Sequence, residues 1–134
     1  MKNKFSPSWN SSKQPRKQRK YRANAPIHLK HKMMSSHLSK ELMKKYSIRN
    51  TTLRKGDTVK VVRGQFKSKT GKVEKIIMKF LKVNISGVER IKRDGSKSPY
   101  PVDPSNVIIT ELSLSDKERA KKLRRKNDAT PIKS

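Results

Sequence analysis

Cysteine is absent from this chain of 134 residues, and acidic residues are scarce. Without cysteine there are no disulfide bonds and no thiolate metal sites. No apolar run approaches the roughly 18 residues of a membrane-spanning helix, and the first residues, MKNKFSPSWNSSK, hold no apolar stretch typical of a signal peptide. These absences predict an intracellular protein.

The shortage of acids leaves the chain strongly positive. Asp and Glu number 10 against 36 Lys and Arg, so the formal net charge is +26. A monomer with this charge repels itself and attracts polyanions. Only 31% of the residues are apolar, which is too few for a globule of this length but enough for a core of about 60 residues. We expect the remainder to need a partner before it becomes ordered.

The charge is distributed unevenly along the chain. Residues 1–50 carry 14 basic residues and one acidic residue, Glu41. Residues 51–112 carry 14 basic and six acidic residues, and residues 113–134 carry eight basic and three acidic residues. The acids of the middle segment are typical of a self-folding domain. Because its predicted strands lie after Leu53, we expect it to stay folded when residues 1–50 are removed. The composition of the N-terminal segment is typical of a chain that lies on phosphates.

The first 24 residues mix Lys and Arg with three aromatic residues, Phe5, Trp9 and Tyr21. We predict an extended basic arm over residues 1–24, in which aromatic rings stack on unpaired bases while the cations neutralise phosphates. Short basic clusters are also common in disordered tails and localisation signals, and that alternative stays open.

Residues 25–50 predict short basic helices. Asn24-Ala25-Pro26 places proline at a first helical position and predicts a helix over residues 26–34. Ser35-Ser36 would end it and cap a second helix over residues 37–46, where Leu38, Leu42 and Tyr46 recur at helical spacing. Both helices are shorter than about 12 residues, so we expect neither to be stable alone.

Three histidines, His28, His31 and His37, raise the question of a metal site. His28 and His31 share a predicted helical face, but nothing supplies further ligands at the spacing of a zinc site. We therefore predict no bound metal, and we expect these side chains to donate hydrogen bonds near RNA or to pack.

From Leu53 onward the apolar residues alternate with polar ones. Short β-strands are predicted over residues 58–62, 72–77, 81–85, 88–91 and 107–112, joined by turns such as Asp94-Gly95. Several short strands within about 60 residues are typical of a small antiparallel barrel. The predicted fold class is therefore mainly β with basic extensions.

A basic helix is predicted after the last strand. Ser115 followed by Glu118 is a capping-box pattern. The helix over residues 116–126 carries seven cations and two acids. A solvated helix is the alternative, but its cations would repel one another, so we expect it to lie along a groove of phosphates.

The loop over residues 63–71 joins the first two predicted strands and is dense in glycine and cations. Gly64 and Gly71 allow positive φ angles or a close approach of the backbone to another surface. Exposed backbone N–H groups in such a loop donate to phosphate oxygens. Phe66 can stack on a base or close the end of the barrel. An ordinary basic hairpin loop is the alternative.

This loop and its strands resemble the KOW motif. The residues concerned are GDTVKVVRG at positions 56–64, then Lys67 and Gly71-Lys72-Val73. The motif is the strand–loop–strand unit of SH3-like barrels in ribosomal proteins and transcription elongation factors. Residues 24–50, 83–97 and 102–114 are similar to one family, the eukaryotic and archaeal large-subunit ribosomal protein L twenty-six, counterpart of bacterial L twenty-four. The resemblance covers roughly residues 13–127.

The resemblance implies a fold, a function and partners. It implies a small five-stranded SH3-like barrel over residues 51–112 and a basic C-terminal helix and tail over residues 113–134. It implies a structural constituent of the large (60S) ribosomal subunit that binds rRNA near the polypeptide exit tunnel and supports subunit assembly and translation. The implied contacts are the 5′ region of the large rRNA, the 5.8S rRNA in eukaryotes and neighbouring ribosomal proteins. Nucleolar passage during assembly is implied for a eukaryotic source.

Residue type and resemblance together predict a set of RNA contacts spread along the chain. No cofactor, small-molecule substrate or membrane contact is predicted. The predicted RNA contacts are Lys13, Arg16, Lys17, Arg19, Lys20, Arg22, His28, Lys30, His31, Lys32, Arg54, Lys55, Arg63, Gly64, Gln65, Phe66, Lys67, Lys69, Gly71, Lys72, Arg90, Lys92, Arg93, Lys121, Lys122, Arg124 and Arg125.

Two other function classes compete with this prediction. A KOW-bearing transcription elongation factor would add an acidic or mixed-charge domain and several barrels, whereas this chain has one predicted barrel and a net charge of +26. An enzyme is not predicted, because there is no cysteine nucleophile, no carboxylate pair in an apolar setting and no P-loop. Asp57, Glu74 and Glu89 lie among cations and are interpreted as local charge partners.

Overall fold

The computed structural model describes the backbone of residues 5–128 and the side chains of residues 5–124. Its strands include all five that the alternating pattern predicts, to within two residues at each end. Of three further short strands, two precede that pattern and one lies between its last two strands. In chain order the strands are β1 (Ser35–Leu38), β2 (Asn50–Thr52), β3 (Thr58–Val61), β4 (Thr70–Ile77), β5 (Lys82–Ile85), β6 (Glu89–Ile91), β7 (Lys97–Pro99) and β8 (Val107–Glu111).

Six strands form one sheet, in the order β2-β1-β8-β3-β4-β5, and β6 and β7 form a separate hairpin. Within residues 5–128 the six-stranded sheet is open, because β2 and β5 lie at its two ends and do not pair with each other. The fold is therefore mainly β with helices, and its sheet has a different strand count from the predicted five-stranded barrel. The extra strands β1 and β2 begin before residue 51.

The helices are α1 (Pro15–Asn24), α2 (Ile27–Met33), α3 (Lys40–Tyr46) and α4 (Lys117–Asp128), with a short 3-10 turn at Pro7–Ser11. The predicted extended arm over residues 1–24 is wrong where α1 and the 3-10 turn lie. The physical reason is local: Pro15 fits a first helical turn, and the Arg, Lys and Gln residues after it favour helix. No helix within residues 5–128 is long and apolar enough to cross a membrane.

The predicted helix over residues 37–46 is wrong at its beginning, where β1 lies. Ser36 and Leu38 are buried and alternate with the exposed His37, as in a strand with one face in the core. The Ser36 hydroxyl donates a hydrogen bond to the Pro104 carbonyl oxygen. Helix α3 begins after Ser39, whose side chain accepts a hydrogen bond from the Leu42 N–H at 3.4 Å. Ser39, rather than Ser35-Ser36, is therefore the N-cap.

Strand β1 is internal to the sheet. It pairs antiparallel with β2 and parallel with β8, where His37 lies opposite Ile108 and Leu38 opposite Ile109. Met34 and Leu38 are buried in the same core as Val59 and Ile109. Each fully buried aliphatic side chain stabilises a fold by about 1.5–3 kcal/mol. The core therefore includes residues before position 51. Contrary to the prediction from sequence, we expect removal of residues 1–50 to unfold the sheet.

The hairpin of β6 and β7 has the tight turn that Asp94-Gly95 predicts. Gly95 has a φ of +80°, in the left-handed region that favours glycine. The Ser96 hydroxyl and backbone N–H both donate to Asp94 Oδ1, and these hydrogen bonds, the hydroxyl's first, lower the pKa of the Asp94 carboxyl. The turn holds the exposed cations Arg90, Lys92 and Arg93 on a projecting hairpin.

Candidate nucleic-acid interface

A buried ion pair fixes α4 to the sheet. Asp57 is fully buried and Arg119 is 5% exposed. Arg119 Nη1 lies 2.6 Å from Asp57 Oδ1, and Nη2 lies 2.8 Å from Oδ2, so the pair is bidentate. Asp57 is a charge partner, as predicted, but its partner is not one of the cations near it in the sequence. Sequence reasoning missed that its partner is Arg119, 62 residues away, because no periodic pattern links the two positions.

Backbone groups satisfy the rest of this pair. Arg119 donates to the carbonyl oxygens of Ser113 at 3.0 Å and Thr52 at 3.1 Å. Asp57 accepts the backbone N–H groups of Arg54 at 2.8 Å and Ser113 at 3.0 Å. A buried ion pair of this kind is stable only when the remaining donors and acceptors are also satisfied. Arg119 is thus occupied within the protein, unlike the exposed cations of α4.

Asp116 caps α4. Its Oδ1 accepts hydrogen bonds from the backbone N–H groups of Glu118 at 2.8 Å and Arg119 at 3.4 Å. The predicted capping box with Ser115 is wrong, because a carboxylate one residue later takes that role. Asp116 also forms an ion pair with Arg54. One helical turn beyond Arg119, Leu123 is only 4% exposed and completes the buried face of α4.

A basic groove runs along α4 beside this buried face, and Arg119 is part of its lining. The groove is an open cavity of about 600 Å³ between α2, β2 and α4. It is lined by the predicted contacts Lys32, Arg54, Lys121 and Lys122, with Glu118 as its acid. A neighbouring cavity is lined by His31, Arg54 and Lys55, with Asp116 at its edge. The structure therefore brings together predicted RNA contacts from three separate segments of the chain.

The loop between β3 and β4 presents cations to solvent. Arg63, Gly64, Gln65, Lys67, Lys69 and Lys72 are not buried, and the Lys side chains among them are exposed. Gly64 has a φ of +91°, and nothing lies within 4 Å of where its Cβ would be, so the backbone there is open to a ligand. Phe66 instead packs inward: its ring centroid is 5.1 Å from that of Tyr100, and Lys69 Nζ lies 5.2 Å from the Phe66 centroid.

Gly71 serves packing within the protein. A Cβ at this position would lie 2.3 Å from the carbonyl oxygen of Ser86. The surface that the Gly71 backbone approaches closely is therefore the end of β5, within the protein. The Ser86 hydroxyl accepts a hydrogen bond from the Lys72 N–H at 2.9 Å, which holds that approach in place.

The cations of α1 project from a helix with no buried residue. The predicted contacts on α1 and just before it, Lys13, Arg16, Lys17, Arg19, Lys20 and Arg22, are all exposed. Lys17 and Lys20 lie 5.9 and 5.2 Å from the Trp9 ring centroid. In α2, His28 is exposed, and Lys30 donates to the Ala23 carbonyl oxygen at 3.1 Å. Arg124 is exposed on α4, and the side chain of Arg125 lies outside the described residues.

The histidines do not form a metal site within the described part of the chain. No group of three or more His, Cys, Asp and Glu side chains there could hold a metal ion. His28 and His31 lie on α2, whereas His37 belongs to β1.

A mainly β fold whose helices, hairpin and loop carry exposed cations is typical of proteins that assemble with polyanions. A family model of the ribosomal proteins called L26 in eukaryotes and L24 in archaea matches residues 12–126. The chain belongs to this family, as the resemblance of its residues predicts. It is accordingly a structural ribosomal protein and not an enzyme, and membership gives no support to the elongation-factor alternative.

Relatives with curated names agree with this assignment. The chain is similar to the "Large ribosomal subunit protein uL24" of Methanoculleus marisnigri, at 52% identity over 84% of this chain and 93% of the relative. The protein with the same name from Methanosarcina barkeri is 46% identical over 85% of this chain and 98% of the relative. That from Methanosphaera stadtmanae is also 46% identical, over 86% and 98%.

Proposed function

We propose that the chain binds large-subunit rRNA as a structural constituent of the large ribosomal subunit, the 60S subunit in a eukaryote. The observation that carries this proposal is the exposure of its positive charge. Among the described side chains, Arg119 is the only buried cation, in a chain with a net charge of +26. A surface with so many unburied cations is stable in a compact state when phosphates neutralise it.

The position within the subunit is part of the same proposal. By family resemblance, the site lies near the polypeptide exit tunnel, against the 5′ region of the large rRNA, the 5.8S rRNA in eukaryotes and neighbouring ribosomal proteins. There the chain supports subunit assembly and translation. The corresponding location is the cytoplasmic ribosome, with nucleolar passage during assembly in a eukaryote.

The sheet is proposed to act as an SH3-like barrel. Strands β8, β3, β4 and β5 are consecutive neighbours, and Val83 of β5 forms a further antiparallel bridge to Val102. We propose that these five neighbouring segments are the strands of the KOW barrel that the resemblance implies. In this view the barrel is the rigid platform, and the helices of the segments 1–24, 25–50 and 113–134 extend its contacts along the RNA.

The proposed mechanism is electrostatic docking. Cations of α1, α2, α4, the loop after β3 and the β6–β7 hairpin pair with phosphates, and the counterions released from RNA favour binding. In the loop after β3, the proposed contacts are Arg63, Lys67 and Lys72 together with the open backbone at Gly64. Shape and unpaired segments of RNA, rather than base-edge readout, would select the site.

The salt dependence of binding tests this function. We expect the logarithm of the association constant for an rRNA fragment from the 5′ region to fall with log[salt] at a slope of about −3 or steeper, because a slope near −0.9 per contact then means at least about four phosphates. An unrelated tRNA of similar length is the control for non-specific binding. A shallower slope, or equal affinity for both RNAs, would contradict the proposal.

A further inference from the structure

The turn between β4 and β5 places an aromatic ring in solvent. Phe80 is 64% exposed, whereas the other exposed aromatic residue in the described part of the chain, Tyr100, is 39% exposed and packs on Phe66. Tight turns favour Gly, Asn, Asp, Ser and Pro, which satisfy their backbone or avoid steric cost. A phenylalanine here gains little burial, so its presence is not explained by the stability of the fold.

The next residue holds this turn in a costly conformation. Leu81 has a φ of +54°, in the left-handed region that costs a residue with a Cβ of the order of 1–3 kcal/mol. Its side chain is buried in the core at 3% exposure, which offsets that cost. With Leu81 directed inward, Phe80 stays on the outside of the turn. The backbone therefore fixes the exposed position of the ring.

Cations surround Phe80. The ring borders an open groove of about 460 Å³ between α1 and the β4–β5 turn, lined by Arg19, Arg22, Lys79 and Lys82, with Asp103 as its acid. Lys79 Nζ lies 5.6 Å from the Phe80 ring centroid. Asp103 lies 2.6 Å from Lys82 Nζ and 3.9 Å from Arg22 Nη2. Four cations face one carboxylate, so the groove has a net positive charge.

We propose that this groove binds an unpaired nucleotide of RNA, with its base stacked on Phe80 and its phosphate paired with Arg19 and Lys79. An exposed aromatic face beside cations matches a nucleotide, because every base has a π face and every phosphate a negative charge. An apolar protein segment fits less well, since it would remove the surrounding cations from water without neutralising them. This inference rests on the proposed rRNA-binding function and adds a single-stranded subsite to it.

The test compares three full-length proteins: the natural chain, Phe80→Ala and Phe80→Trp. A matched control is Ile91→Ala, because Ile91 is 70% exposed and lies between Arg90 and Lys92 on β6. The probes are an unstructured oligouridine and an RNA duplex of equal length. Because Phe80 is exposed, Phe80→Ala should keep the natural melting temperature to within a few degrees.

Phe80→Ala should weaken oligouridine binding about 5- to 150-fold, the range for losing one stacked base. Duplex binding and the salt slope should not change, because no charge is removed. Phe80→Trp should keep the natural affinity, and Ile91→Ala should have no effect. In a Trp9→Phe background, the tryptophan of Phe80→Trp should lose fluorescence when oligouridine, but not duplex, is added.

Three outcomes would overturn the inference. The first is that Phe80→Ala binds oligouridine as tightly as the natural chain does. If the natural chain still binds rRNA with a steep salt dependence, that result leaves the proposed function intact. The second is equal weakening of single-stranded and duplex binding. The third is an effect of Phe80→Ala on association with another ribosomal protein but not with RNA. Failure of the natural chain to bind rRNA would instead remove the proposed function and this inference with it.

Discussion

Helices α1 and α4 are both rich in Lys and Arg, but they differ in their N-caps and in how many residues they bury. α1 carries five cations and no acid, has no side-chain N-cap and buries no residue. α4 begins at an Asp116 cap, has Glu118 in its first turn, and buries Arg119 and Leu123. A run of basic residues therefore does not show whether a helix is stabilised by packing on the rest of the protein or only by binding a ligand.

The difference has energetic consequences. Helices of fewer than about 12–15 residues are marginal in water and depend on tertiary packing. α4 has that packing, whereas the ion pair between Arg22 of α1 and Asp103, at 3.9 Å, joins two solvent-accessible groups. Such pairs stabilise a fold by about 0–1 kcal/mol. We infer that α4 holds its cations in a fixed arrangement and that α1 depends mainly on the proposed RNA contact for its stability.

The largest effect expected of a single substitution is that of Asp57→Ala. It leaves the Arg119 charge buried without its counterion and removes the acceptor of two backbone N–H groups. We expect the free energy of unfolding, measured in urea, to fall by about 3–5 kcal/mol. Glu74→Ala, on an exposed position of β4, should change it by less than about 0.5 kcal/mol. A loss below about 1 kcal/mol for Asp57→Ala would show that the pair does not anchor α4.

A smaller effect is expected for Leu123→Ala, which removes the apolar contact of α4. The substitution leaves a cavity on the buried face of α4, and we expect a loss of about 2 kcal/mol, at the low end for buried leucines, because the site lies at the edge of the core. The same urea titration of Lys121→Ala, an exposed position on the same helix, should give almost no change. Equal effects of the two substitutions would contradict the docking of α4 by this face.

The smallest effect on stability is expected for deletion of residues 1–24, which removes α1. The melting temperature should change by no more than a few degrees, because no residue of α1 is buried. The deletion removes eight basic residues. The slope of the logarithm of the association constant for rRNA against log[salt] should therefore become less negative by up to about 7. A large loss of stability on deleting residues 1–24 would contradict the comparison of α1 with α4.

Deletion of residues 1–50 is the contrasting truncation, because it also removes β1 and the first residue of β2. We expect it to unfold the sheet.

The sequence predicts the strands better than it predicts their assembly. Strands β3, β4, β5 and β8 follow from alternation of apolar and polar residues, a local signal that burial of one face imposes. β1 was missed because Leu38, Leu42 and Tyr46 also fit helical spacing. Its strand conformation depends on pairing with β8, about 70 residues later in the chain. Local patterns carry no information on that partner.

The candidate interface was predictable only where it depends on local sequence. Charge and glycine content identify exposed cations, and the loop after β3 presents them as predicted. The groove beside α4 was not predictable, because Lys32, Arg54 and Lys122 meet only after three segments pack together. Phe80 left a signal in the sequence, an aromatic residue after Lys79 between two strand patterns, but its exposure depends on the buried Leu81.

Amide hydrogen exchange of the full chain, free and bound to an rRNA fragment, tests the central distinction most directly. In the free protein, amides in the middle of α4 should be protected nearly as strongly as those of β3, and amides of α1 should exchange close to the rate of an unstructured peptide. On binding RNA, α1 should gain protection while α4 changes little. Equal protection of the two helices in the free protein would contradict the account.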